Sequence, residues 1–103
     1  MEIDKIINEF LPDKQATDAL ADFFALFADR TRMRILSLLS ISNLCVNDVA
    51  AVLDMRQSTV SHQLQILRSK NLVEGYRQGK KTIYCITNSY VEKLLTQAVL
   101  ATE

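Results

Sequence analysis

Apolar residues recur at three- and four-residue spacing through the chain up to Leu72, and the pattern then shifts toward strand-like runs. Helical spacing puts one face of a helix inward, whereas β-branched and aromatic runs bounded by turn residues mark strands. Ile3, Ile6, Ile7 and Phe10 predict a short amphipathic helix over Glu2 to Leu11, interrupted by Pro12, which lacks the amide proton a continuing helix needs. Ala16, Leu20, Phe23, Phe24 and Phe27 predict a second helix from about Asp13 to Phe27. Asp29 suits an N-cap for a third, Arg30 to Leu39, which buries Met33, Ile35, Leu36 and Leu39 and turns Arg30, Arg32 and Arg34 mainly to other faces.

Ser40 to Leu44 reads as a loop. A short helix follows over Val46 to Leu53, with Val49, Ala50 and Leu53 inward, then a break at Asp54-Met55-Arg56. The next helix spans Gln57 to Ser69 on a stripe of Val60, Leu64 and Leu67. Leu72 to Arg77 and Thr82 to Thr87 flank Gln78-Gly79-Lys80-Lys81, which predicts a β-hairpin with a basic tip turned at Gly79. A last helix runs from Tyr90 to about Ala101, capped by Asn88 or Ser89. Its Val91, Leu94, Leu95, Ala98 and Val99 have no evident place in so small a core, so a partner subunit is expected to cover them.

The expected fold class is mainly α with a small β-hairpin, a homodimeric winged helix-turn-helix in α-α-α-α-β-β-α order. One such domain is expected over residues 1–103, with dimerisation helices at 1–28 and 88–103, the helix-turn-helix at 46–69 and the wing at 72–87.

Composition changes the picture in one respect. Formal net charge is zero, yet Met55 to Cys85 holds six basic residues, Arg56, Arg68, Lys70, Arg77, Lys80 and Lys81, against the single acid Glu74. The remainder holds six basic and eleven acidic residues. A phosphate backbone responds to local potential, so a neutral total conceals a segment suited to nucleic acid. On charge alone, an ordinary solvated face is the competing reading. No apolar run is long enough to span a bilayer, and the acidic, amphipathic start is unlike a signal peptide, so a cytoplasmic location is expected. Two cysteines are too few for a disulfide scaffold.

The second helix of the pair opens with Gln57, Ser58, Thr59, Ser61, His62 and Gln63. Short or amide-bearing polar groups of this kind both donate to and accept from base edges in a major groove. Arg56 is placed for a backbone contact, and Lys80 and Lys81 for an adjacent groove or phosphate. His62, the single histidine, has three readings: a DNA contact, a structural residue or a metal ligand, and a lone imidazole makes a poor metal site.

Three segments together resemble the ArsR/SmtB family of bacterial repressors: Leu26 to Leu36 (LFADRTRMRIL), Leu44 to Ala50 (LCVNDVA) and Gln57 to Leu64 (QSTVSHQL). The resemblance continues through Arg77-Gln78-Gly79-Lys80 to Ile83-Tyr84 and covers roughly residues 20 to 95. Arg30 departs from the proline common there. The resemblance implies dimers built from the first and last helices, double-stranded operator DNA as target, DNA contact by Ser61 and His62, and release on a signal. The family's metal sites are not reproduced. Where one has a Cys-x-Cys pair this chain has Cys45 and Asn47, and the ligand positions of the last-helix site match Asn88, Tyr90 and Ala101. No metal and no cofactor is therefore assigned.

Cys45 and Cys85 remain as candidate thiol sensors. Cys45 is expected at a helix start, where unpaired amides favour a thiolate, and a small half-buried loop residue is the competing reading. The signal expected is thiol, redox or sulfide chemistry. A metal-responsive repressor with a non-standard site and a regulator without its own sensor stay as alternatives. Catalysis is not expected: there is no glycine-rich phosphate loop, nucleophile elbow or metal pair, and the one histidine lacks a matched acid. An interaction-only winged helix would place aromatic or aliphatic anchors where this chain has Gln57 to Gln63.

Overall fold

Ile35, Leu36 and Leu39 repeat on one face of a helix and are almost completely withdrawn from solvent, so the other elements assemble around that face. The computed structural model describes residues 2–103. Its elements are α1 (Glu2–Phe10), α2 (Lys14–Ala25), α3 (Arg30–Ile41), β1 (Leu44–Cys45), α4 (Val46–Leu53), α5 (Gln57–Ser69), β2 (Val73–Gln78), β3 (Lys81–Ile86) and α6 (Ser89–Thr102). This is the winged helix-turn-helix, with the five helices ahead of the hairpin that the apolar spacing predicts, although the short α-α-α-α-β-β-α order names only four. The segments on either side of Pro12 are separate helices.

Local chemistry sets the helix ends. The Asp13 carboxylate accepts from the Ala16 amide at 2.8 Å, and the Asp29 carboxylate from the Arg32 amide at 3.0 Å, each satisfying an orphan donor of the first turn. Asn88 does the same for Tyr90 at 2.9 Å. α4 and α5 each end at a left-handed residue of a type that tolerates that conformation, Asp54 after α4 (φ 53°) and Asn71 after α5 (φ 60°). The Met55 amide then donates back to the Ala50 carbonyl, and the Leu72 amide to the Leu67 carbonyl, closing both turns.

The hairpin turns through Gly79-Lys80 between the paired residues Gln78 and Lys81, with positive φ at Gly79 only, the II′ pattern that matches strand twist. Two expectations need correction. Ser40 to Leu44 is not a loop: α3 continues to Ile41, and Leu44-Cys45 forms a third strand, antiparallel to β3, with Leu44 opposite Tyr84 and Cys45 opposite Ile83. A two-residue strand has too few positions to show a period. In α6, Val91 (1% exposed) and Leu95 (3%) are buried inside this chain, not left for a partner, because that face of the helix lies on α3.

The core joins α3, α4, α5, the hairpin and α6, with Phe27 at its edge. By contrast α1 buries no residue, and neither does α2. Ile3, Ile6, Ile7, Phe10, Leu20 and Phe24 are about half exposed or more. The molecule measures 62 × 30 × 21 Å, with a radius of gyration of 17.0 Å where a compact chain of this length gives about 13 Å.

Gly75 lies opposite Tyr84, and a Cβ built there would come within 2.8 Å of Thr82 Cγ2. Gly75→Ala is therefore expected to lower stability by about 1–3 kcal/mol, the usual cost of overpacking. Thr82→Ser, which removes Cγ2, should recover most of that loss in a urea titration. Equal losses with and without Thr82→Ser would place the strain elsewhere.

Candidate DNA interface

The first turns of α5 carry the polar cluster because Val60, Leu64 and Leu67 anchor the opposite side of the helix in the core. Gln57, Ser58, Thr59 and His62 are exposed, while Ser61 and Gln63 are half-buried. Arg56 occupies the N-cap position in an extended conformation, with its side chain exposed and not capping the helix. The amides of that first turn are thus left without a side-chain acceptor, a setting that favours an anion.

Lys80 sits in the hairpin turn and Lys81 opens β3, both exposed. The wing packs on the reading pair through β2 against α5. The Thr87 hydroxyl donates to the Asn71 carbonyl at 3.0 Å, tying the end of the hairpin to the end of α5. Among the described residues Gln63 is the one member of the polar set with a side-chain partner: its Oε1 accepts from Arg32 Nε at 3.0 Å.

Comparison with known proteins agrees with this architecture. Residues 29–75 match the model of the bacterial regulatory protein arsR family. A transcriptional repressor SmtB homolog from Synechocystis is 43% identical over 91 residues, covering 85% of this chain and 69% of that protein. The chain belongs to the ArsR family of bacterial regulatory proteins.

Among solved structures, the AntR antimony-specific transcriptional repressor superposes with a TM-score of 0.80 at 30% identity, covering 89% of this chain and 84% of its own. A homodimeric winged helix-turn-helix DNA-binding domain from Mycobacterium bovis gives 0.75 at 29% identity, covering 90% and 88%.

The two thiols of this ArsR-family regulator have different surroundings. Cys45 is buried at the N-cap of α4, where it makes no capping hydrogen bond. Its Sγ donates instead to Asp48 Oδ2 at 3.2 Å. The sulfur therefore meets a carboxylate one turn on, where the sequence reading placed bare amides. Asp48 was not singled out as a site residue, although its i+3 spacing from Cys45 puts both on one helix face. An open cleft of about 290 Å³ separates Cys45 and Asn47 from Lys80 and Lys81.

Cys85 lies opposite Glu74 in the hairpin. Burial pushes its thiol above the ordinary range, and the Glu74 and Glu92 carboxylates add to the shift. Both cysteines are free thiols. For a metal, Cys45 and Asp48 supply two donors, and among the described residues no group of three or more His, Cys, Asp or Glu could hold an ion. The donor set of one chain does not fit a metal centre.

The raised Cys85 pKa has a definite sign. Its thiolate forms at higher pH than that of free cysteine, so alkylation by iodoacetamide in a Cys45→Ser background should reach half its maximal rate at a pH above that for free cysteine. A midpoint at or below the free-cysteine value would contradict the assignment of burial and Glu74 as the causes.

Proposed function

We propose that this ArsR-family chain is a homodimeric, sequence-specific repressor that binds double-stranded operator DNA and leaves it on a signal. The observation that carries this reading is the solvent-facing cluster of Gln57, Ser58, Thr59 and His62 on the first turns of α5, together with the exposed Lys80 and Lys81 at the hairpin tip. Side chains of that cluster, with Ser61 at its edge, read base edges from the major groove. Arg56, Lys80 and Lys81 neutralise phosphate and supply salt-dependent affinity. Residues 46–69 thus act as the reading pair and 72–87 as the wing, in one unit over 1–103. No catalytic role is proposed, and the protein works in the cytoplasm, where the DNA is.

The dimer rests on the helices of 1–28 and 88–103. Full burial of a large apolar side chain is worth about 1.5–3 kcal/mol. Ile3, Ile6, Ile7 and Phe10 are each more than half exposed, and Leu94 and Val99 also face outward on α6. Two copies of such a surface are of the size needed to offset the roughly 4–15 kcal/mol that association costs. The Mycobacterium bovis relative is itself homodimeric.

For the signal, we propose modification of Cys45 by an oxidant or polysulfide. It stands where β1, hydrogen-bonded to the wing strand β3, passes into α4, the first helix of the reading pair. Cys45 is 5% exposed as a residue, so an adduct on its sulfur must displace its neighbours and disturbs both elements together.

DNA reading and DNA holding separate experimentally. His62→Ala should cut discrimination between operator and scrambled duplex, a good base contact being worth about 1–3 kcal/mol. Lys80→Ala should weaken both duplexes alike and reduce the salt slope by about one unit. An unchanged slope would remove the wing as a backbone clamp.

The signal is tested by measuring operator affinity of wild type, Cys45→Ser and Cys85→Ser before and after peroxide or polysulfide. Loss of affinity in wild type and Cys85→Ser, with none in Cys45→Ser, is expected. A wild type indifferent to both reagents would exclude the thiol route.

A further inference from the structure

Arg32 is a half-buried cation without a carboxylate. Among the described residues its side chain has one partner, the neutral amide oxygen of Gln63, which accepts from Nε at 3.0 Å. The capping acid Asp29 meets the backbone amide of Arg32 through Oδ1, with no ion pair to the guanidinium among the described residues. A guanidinium carries five N–H donors, and the four on its terminal nitrogens have no acceptor among the described residues. Among the described residues no fully buried side-chain nitrogen lacks a partner, so those terminal nitrogens are at least in part open to solvent.

Their position matters. Gln63 follows Thr59 by four residues and Arg56 by seven, which places all three on one stripe of α5. The bond to Gln63 therefore brings a charge from α3 alongside the helix that reads DNA, 31 residues away in sequence. A residue needed only to brace two helices gains nothing from an uncompensated charge, whose partial burial costs free energy. A planar guanidinium with its outer N–H groups open is suited to a phosphate oxygen pair.

We propose that Arg32 is a phosphate contact and that Gln63 is its positioning residue, not a base reader. This rests on the DNA-binding reading above. Holding Nε fixes the guanidinium plane before DNA arrives, so less side-chain freedom is lost on binding. The same bond occupies the Gln63 oxygen, which withdraws that residue from the base-reading set and leaves Gln57, Ser58, Thr59, Ser61 and His62 to carry specificity.

The test uses full-length protein, a duplex selected by the wild type from a random pool, and a scrambled duplex of the same length, titrated between about 50 and 200 mM salt. Arg32→Gln should lower the slope of log affinity against log salt by about one unit and weaken both duplexes by the same factor. Gln63→Met, which keeps the volume and removes the acceptor, should weaken both roughly 2- to 10-fold, the cost of fixing a loosened side chain. It should add nothing further in the Arg32→Gln background.

An unchanged slope in Arg32→Gln overturns the proposal. So does a Gln63→Met protein whose preference for the selected duplex collapses while Arg32 is intact. Should Arg32→Gln fail to fold by circular dichroism, Gln63→Glu supplies the same slope test, because its carboxylate neutralises the guanidinium in place. A wild type that binds neither duplex overturns the DNA-binding reading and this proposal with it, whereas failure of the slope test alone leaves DNA binding standing.

Discussion

Everything in this small protein depends on the burial of one face of α3. Ile35, Leu36 and Leu39 make a surface on which α4, α5, β3 and α6 all rest. At about 1.5–3 kcal/mol for each large side chain fully withdrawn from water, that face outweighs any single hydrogen bond or cap in the chain. Its consequence for function is positional. With Val60, Leu64 and Leu67 seated on that core, α5 cannot rotate about its axis, so its polar first turns must face outward. The reading surface is thus the complement of the core stripe on the same helix.

The wing is positioned by a second, weaker set of constraints. Strand β3 is shared between β2 and the two-residue β1, so the hairpin is held on both sides near its base while its tip is free. The Thr87–Asn71 hydrogen bond and the left-handed turn at Asn71 set where the hairpin leaves α5. Because β1 leads directly into α4, the residue between them, Cys45, belongs at once to the wing's sheet and to the reading pair. Its thiol is tied to Asp48 within α4 and its backbone to Ile83 in β3. That double membership, more than any property of the sulfur itself, is what recommends Cys45 for the proposed modification.

Charge in this molecule is distributed by role. Seven of the twelve acids lie on α1 and α2 or cap α2 and α3, and the segment from Met55 to Cys85 is left strongly basic. Arg32 fits the same division: it belongs to the core helix α3 but delivers its charge to the side of α5 through Gln63. ArsR-family membership and the winged helix-turn-helix agree with this arrangement, since a regulator with zero net charge needs its cations concentrated locally, as the Met55 to Cys85 segment has them.

Helix positions, caps at Asp29 and Asn88, the hairpin and its glycine turn were all legible from sequence, because each follows from local spacing or from the chemistry of a single residue. The polar opening of α5 was legible for the same reason: periodicity assigns Val60, Leu64 and Leu67 inward and thereby assigns their neighbours outward. Three features were not. Strand β1 is too short to carry a period and exists only because β3 offers it a free edge. Val91 and Leu95 were expected to await a partner, yet the groove beside α3 that receives them forms only when the whole core assembles. The pairing of Arg32 with Gln63 joins helices whose separation in sequence exceeds the reach of any local pattern. Spacing along a chain decides which face of an element is apolar; only packing decides what that face meets, and which polar groups are brought to its edge.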